Sequence, residues 1–178
     1  MKFIIKQEVE ANYQYTEEVI RKAFEKAEIT DHKEHLLVAK LRTTDAFIPE
    51  LSLVAVHSET DQIIGHILLT KIHIVNGDQK QPSLALAPVS VLPKFQQQGI
   101  GKALIEEAIQ VANEAGHESI IVLGHPSYYP KFGFKKASNW HIQAPFEVPD
   151  DAFMALELKE HALTDVNGTV LYSKAFLE

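Results

Sequence analysis

The sequence predicts an α/β protein: a mixed, mostly antiparallel central sheet flanked by helices. Three observations carry this. Residues 51–91 read as strand, turn, strand, turn, strand, and Asn76-Gly77-Asp78 is the sharper turn because Asn-Gly accepts the positive φ of a tight hairpin. Residues 83–124 read as strand, glycine turn, helix, strand, a unit that places its two strands in parallel through a right-handed crossover. After Trp140, short strands separated by Pro- and Gly-bearing turns return.

In chain order, Lys2–Val9 is a first strand. Thr16 is placed to cap a helix running to Ala27, with Val19, Ile20, Ala23, Phe24 and Ala27 on one face. Asp31 and Glu34 have capping-box spacing and open a short helix through Leu36, Leu37 and Leu41. Leu51–Ser58 and Gln62–Val75 are strands joined by a polar turn at Asp61, and Ser83–Val91 follows the hairpin. The next helix buries Ile100, Ala103, Leu104, Ala108, Val111, Ala112 and Ala115 and stops at Gly116. Glu118–Gly124 is a short continuous apolar run, hence a buried strand. One or two helical turns fit 126–132, and Ala152–Leu158 and Gly168–Ser173 are the tail strands. No repeat or low-complexity stretch interrupts the 178 residues. The expectation is therefore one domain, 1–178, with 140–178 a strand-rich extension integral to it.

Composition excludes several functions. There is no cysteine, so disulfides, thiolate metal sites and a cysteine nucleophile are absent. The net charge is -7 and no basic stripe exists, which argues against nucleic acid as a partner. No stretch approaches the roughly 20 apolar residues of a membrane span, so no membrane is expected and the location is read as cytoplasmic. The nine histidines contain no H-x-x-x-H pair; His32 and His35 read as surface residues, and no metal is expected. The acidic balance suits a cationic substrate, although solubility explains it equally well.

The stretch "FQQQGIGKAL" (95–104) puts two glycines where a helix should begin. A Walker A loop requires glycine four residues before Gly101-Lys102 and Ser or Thr after; Gln96 and Ala103 stand there instead. A dinucleotide fingerprint requires a third glycine at 104, which is leucine. What remains is Q-x-x-G-x-G, Gln96 to Gly101, at a helix start. Free N–H groups and the helix dipole attract anions there, and glycine lets a pyrophosphate approach without a Cβ in the way. A plain strand-to-helix turn explains two glycines about as well.

"LAPVSVLPKFQQQGIGKALIEEAI" resembles the acetyl-CoA motif of the GNAT-type N-acetyltransferases, with strand, V-x-P-x-[FY], [QR]-x-x-G-x-G and helix in order. "YPKFGF" (129–134) is similar to that superfamily's Y-x-x-x-G-F, and "GHPSYYPKFGF" with "PFEVPDDAFMALEL" resembles its YhbS-like branch. The similarity covers nearly the whole chain. One position departs: many members carry Asn seven residues before the motif tyrosine, where this chain has Val122 inside a strand, so the helix before Tyr129 must be shortened with His125-Pro126 turning the chain.

The resemblance implies an acetyl-CoA-dependent N-acetyltransferase working by direct transfer to a primary amine in a ternary complex, without metal. The sheet would splay at an acetyl-CoA slot beside Pro88, with the pantetheine arm added along Val89 and Val91 like an extra strand. The pyrophosphate would meet the amides of Gln98, Gly99, Ile100, Gly101 and Lys102, with Gln96 bracing the loop. Tyr129 is the implied general acid for the leaving thiolate, its neighbour Tyr128 a half-buried aromatic. His125 and Glu50 are the candidates for the base beside a water chain, and His66 reads as a satisfied structural histidine. The expected partners are a small-molecule or peptide amine and a second copy of the chain. The rival readings are a non-catalytic acyl-CoA-binding or regulatory domain, and a transferase of longer acyl groups.

Overall fold

The computed structural model describes residues 1–27 and 30–177; Glu178, the last residue of the expected extension, lies outside them. Strands β1 (Phe3–Gln7), β2 (Phe47–His57), β3 (Ile63–Asn76) and β4 (Gln79–Val91) form an antiparallel run. The β3–β4 hairpin closes at Asn76↔Gln79, and Gly77 takes φ +60°, the conformation for which Asn-Gly was read. Helix α1 (Tyr13–Phe24) and helix α2 (Glu34–Leu41) lie between β1 and β2 in sequence. Helix α3 (Ile100–Glu114) brings the chain back so that β5 (Ser119–Leu123) runs parallel to β4.

Beyond β5 the chain keeps adding to the same sheet. β6 (Lys135–Lys136), β7 (Ile142–Gln143), β8 (Phe153–Glu157) and β9 (Gly168–Leu171) give the order β1-β2-β3-β4-β5-β8-β6, with β9 on the distal half of β3 and β7 on β9. Alternating residues divide the core between two faces. On one, Leu104, Ile105, Ala108 and Ala112 of α3 share a cluster with Leu84, Ile120, Val122 and Met154. On the other, Ala85, Ile121, Phe153 and Ala155 meet Ile142, Leu163 and Val170, while Ile20, Val38 and Leu41 of α1 and α2 cover Leu68.

Four local expectations are corrected. Thr16 does not cap α1: a 3-10 turn at Glu10–Asn12 leads straight into the helix at Tyr13, and Thr16 is buried on the same face as Val19 and Ile20. The Asp31–Glu34 capping box does not form. Asp31 Oδ1 instead accepts the Lys33 N–H at 2.9 Å and Glu34 accepts from the Thr30 hydroxyl, so the two carboxylates satisfy the turn that precedes the helix. Leu36 is exposed, because α2 presents only Val38 and Leu41 fully to the core. In α3 the buried stripe includes Ile105 and leaves Ala115 exposed, and Gly116 ends the helix at φ +91° as read.

A buried polar network ties α2 to the sheet. Arg42, directly after α2, donates to Glu8 at 2.8 Å and Glu17 at 3.0 Å and lies over the Tyr13 ring at 3.8 Å. Glu8 also accepts from the Ser52 hydroxyl at 2.7 Å, and Ser52 meets His66 Nε2 at 3.0 Å. His66 is only half satisfied, since its buried Nδ1 has no partner among the described residues. Burial, reinforced by the Arg42 charge, depresses the His66 pKa from 6.5 to about 3.

This has a pH consequence. An unfolded histidine takes up a proton below about pH 6.5, whereas folded His66 stays neutral until about 3, so the unfolded state binds more protons in that window and stability falls as pH falls through it. In urea unfolding, the wild-type chain is expected to lose about 2 kcal/mol more than His66→Gln between pH 7 and pH 5. Parallel stability curves for the two proteins would show that His66 is protonated in the folded state.

Candidate active site

β4 and β5 are in register at only two pairs, Leu84↔Ile120 and Ala85↔Ile121. Past them β4 continues to Val91 and β5 to Leu123 without pairing to each other, so a gap opens between the strands. Pro88 lies in β4 where its register with β3 shifts between Ile67 and Leu69, a bulge position that suits a residue without an N–H. Leu92 N–H donates to Ile64 O at 2.9 Å, which turns Ser90 and Leu92 toward β3. By alternation the backbone groups of Val89 and Val91 face the gap. Gln96 Nε2 reaches back to the Val91 carbonyl at 3.0 Å, bracing the loop as read and leaving the Val91 N–H for something else.

The glycine turn closes one end of this gap. A 3-10 turn at Pro93–Phe95, anchored by buried Phe95, leads to Gln97 at φ +62° and Gly99 at φ +84°. The first bond of α3 is Ala103 N–H to Gly99 O at 3.0 Å, so the amides of Ile100, Gly101 and Lys102 have no partner inside the helix. Only Gly99 requires glycine for its dihedral. A Cβ on Gly101 would meet Tyr128 Oη at 3.7 Å and Val91 Cγ2 at 3.9 Å, ordinary contacts, so at 101 the missing side chain leaves open space at the helix start. Gln98 reaches weakly back to Lys94 O at 3.5 Å, and Lys102 pairs with Glu106 at 3.8 Å on the surface.

The segment after β5 borders the gap opposite β4. As expected from Val122 remaining in the strand, no long helix follows; Tyr128 and Tyr129 N–H groups both turn back on His125 O, and a 3-10 turn spans Tyr129–Phe132. Gly133 ends it at φ +101°, and Phe134 inserts beside Tyr129 with ring centroids 5.7 Å apart. Tyr129 is 8% exposed and packs one ring edge against Gly124, the residue following β5; a Cβ there would come within 2.8 Å of ring carbon Cδ2 and closer still to Cε2. Burial, with a smaller effect of Tyr128, pushes its phenol up to about 12, so it is protonated at neutral pH. Tyr128 is half-buried as read, but its hydroxyl is aimed at Gly101 at the start of α3, and Lys131 Nζ lies 3.9 Å over its ring. The two tyrosine rings meet edge to face at 5.2 Å, Tyr128 beside Gly101 and Tyr129 beside Gly124, a division that residue types alone could not reveal.

The two candidate bases are placed differently. His125 is exposed at the end of β5, and its Nδ1 accepts the Ser127 N–H at 3.2 Å and contacts Ser127 Oγ at 2.8 Å. Held so, neutral His125 carries its proton on Nε2 and presents a donor rather than an acceptor. Glu50 lies within β2 rather than before it, exposed at the bulge between Phe47 and Ser52. It is level with Leu68–Thr70 of β3, two strand spacings (~10 Å) from β4. Glu50 and the gap are therefore not brought into direct contact. Among the described residues no group of three His, Asp or Glu is placed to hold a metal ion.

An antiparallel run, a parallel β4–β5 pair that parts, and a helix opening on a glycine turn at the gap together define a fold of the GNAT type. Residues 13–134 match the Acetyltransferase (GNAT) family, and the chain belongs to it, in the YhbS-like branch. The uncharacterized N-acetyltransferase YhbS of Escherichia coli K12 is 30% identical over 158 residues, 89% of each chain. The crystal structure of E. coli YhbS in complex with CoA superposes with a TM-score of 0.89 at 26% identity, covering 100% of this chain and 93% of that one. A GNAT acetyltransferase from Brucella melitensis in complex with acetyl-CoA gives a TM-score of 0.80 at 30% identity over 98% of both.

The seat of Tyr129 can be tested without any ligand. Gly124→Ala forces a methyl into the ring, and such overpacking is expected to cost about 1–3 kcal/mol in urea unfolding. Unchanged stability would mean the ring does not rest on Gly124.

Proposed function

We propose that this chain is an acetyl-CoA-dependent N-acetyltransferase that transfers the acetyl group directly to a primary amine. One observation carries the proposal: β4 and β5 part beyond two pairs, with unpaired helix amides at the glycine turn and a buried, protonated phenol on the segment that follows β5. Its family membership and the CoA-bound relatives support the same reading.

The pyrophosphate is held by the amides from Gln98 to Lys102, where the helix dipole and open space at Gly101 favour an anion. The Tyr128 hydroxyl, beside Gly101, adds a donor to the same end. The pantetheine amides pair with the backbone of Val89 and Val91, completing the sheet edge that β5 leaves open. The amine nitrogen, as free base, attacks the thioester carbonyl carbon; the C–S bond then breaks and the sulfur takes its proton from Tyr129. The nitrogen's surplus proton leaves through water, with Glu50 as the carboxylate at the end of that path. The Nε2–H of His125 suits the developing negative charge on the carbonyl oxygen. The products are the amide and free CoA, and the phenol is re-protonated from solvent.

Two measurements check the assignment. Acetyl-CoA at about 100 times its Kd should stabilise the fold by roughly 2.7 kcal/mol. Gly101→Glu, which adds a negative charge at a site with room for a side chain, should fold and lose that stabilisation; a retained shift would contradict the phosphate site. In amine-dependent thiol release, Tyr129→Phe is expected to lower kcat by about a hundredfold to ten-thousandfold with acetyl-CoA affinity nearly unchanged. Tyr128→Phe should show the opposite split, weakening acetyl-CoA by roughly tenfold at similar kcat. The reverse pattern would assign the acid to Tyr128.

A further inference from the structure

We propose that a concavity of about 650 Å³ on the sheet face opposite α3 is the acceptor pocket, and that it takes a primary amine carrying an aromatic body. The proposal rests on the acetyl-transfer reading above and specifies its second substrate. Ile142, Phe146, Val148 and Phe153 supply apolar walls, while Glu147 and Asp150 stand at the rim. Its size is that of a small-molecule site.

Location argues first. Phe153 is directly opposite Leu123, the last residue of β5, and Gly124 N–H donates to Ala152 O at 2.9 Å. Residues directly opposite in an antiparallel pair project on the same face, and Phe153 belongs to the cluster away from α3. The pocket therefore begins one strand spacing, about 4.8 Å, from the strand that borders the gap, on the side opposite the helix that opens at the phosphate end. An acceptor seated there meets the thioester from across the sheet, without competing for the groove beside α3.

Exposure argues next. Leu123 is 45% exposed and Phe146 47%, two large apolar side chains flanking buried Phe153. Single exposed apolar residues are ordinary, but these two share Phe153 as a neighbour, Leu123 as its strand partner and Phe146 in the same pocket lining. Phe146 is held in place by stacking on Tyr172, with centroids 6.0 Å apart and planes 19° from parallel. A braced, uncovered ring offers a flat partner to another ring.

Charge completes the selection. Asp150 pairs with Lys136 at 3.8 Å, whereas Glu147 has no ion-pair partner among the described residues. A free carboxylate on an apolar rim attracts an ammonium ion and repels acids. The arriving cation gives up its proton before attack, so Glu147 draws the amine to the rim and does not hold the nitrogen during transfer. A linker of two or three carbons carries the nitrogen about one strand spacing from a ring beside Phe153, to Leu123 at the border of the gap. Short hydrophilic amines lack the body, and linear polyamines lack the ring.

The chain's only tryptophan, Trp140, packs against the cluster that lines the pocket, so its emission reports occupancy. The test compares 2-phenylethylamine, ethylamine and the neutral 2-phenylethanol by Trp140 emission and by amine-dependent thiol release, in wild type, Phe146→Ala and Glu147→Gln. Both variants alter exposed side chains, so folding is not at stake. 2-Phenylethylamine is expected to perturb the emission and to have a KM at least tenfold below that of ethylamine. Phe146→Ala should raise that KM about tenfold with kcat within twofold, and leave ethylamine unchanged. Glu147→Gln should weaken the amine several-fold but not the alcohol. Equal use of ethylamine, or unaltered KM in Phe146→Ala, overturns the pocket while transfer itself persists. Failure of acetyl-CoA to bind, measured separately by calorimetry, overturns the transferase reading and the pocket with it.

Discussion

The parting of β4 from β5 is the constraint on which the rest of the structure depends. Two parallel strands held at only Leu84↔Ile120 and Ala85↔Ile121 leave backbone N–H and C=O groups beyond those pairs without a sheet partner. Buried backbone groups must be satisfied, and an open strand edge is a template for whatever supplies matching groups. The surrounding elements keep the gap from closing. The bulge at Pro88 bends β4, Gln96 ties the loop to the Val91 carbonyl, and β8 holds β5 from its far side along five registered pairs. An edge supported in this way is preorganised, so ordering it costs little when a ligand arrives.

Helix amides and the Tyr128 hydroxyl gather where α3 starts, and the ring of Tyr128 meets that of Tyr129, whose apolar seat is Gly124 and Phe134. The same burial that raises the Tyr129 pKa to about 12 keeps the phenol protonated, and so a donor, at neutral pH. Farther away, the Glu8–Arg42 pair anchors the end of α2 to β1 and β2. A buried pair of this kind costs about 3–5 kcal/mol to break by removing one partner, because the other charge is stranded. It therefore fixes where the α2 segment sits more than it adds net stability.

Much of the fold was legible because it rests on local chemistry. Asn-Gly required its hairpin, Gly116 its helix end, and the continuous apolar run at Ser119–Leu123 its place inside the sheet. The Q-x-x-G-x-G and Y-x-x-x-G-F stretches fall where local turns were expected, with Gln96 bracing the loop after β4 and a short turn at Tyr129–Phe132. What was not legible depended on long-range packing. Thr16 reads as a cap from its neighbours, but the turn at Glu10–Asn12 had already started the helix. The network of Glu8, Arg42, Ser52 and His66 joins residues up to 58 positions apart in the chain, with no spacing to betray it. Nothing in "SYYPKF" says which tyrosine faces α3, since a 3-10 turn separates adjacent side chains by roughly 120°. The wall formed by Phe146 on Tyr172 exists only because β9 returns to β3 beside the tail.

In the proposed function a ligand completes the edge of β4. Amide hydrogen exchange with and without CoA reads that edge directly, residue by residue. The account predicts that CoA slows exchange at Val89 and Val91 and at the helix-start amides from Gln98 to Lys102, while Ser90 and Leu92, already turned to β3, change little. CoA binding that leaves Val89 and Val91 unprotected, or that protects a different strand, would contradict it.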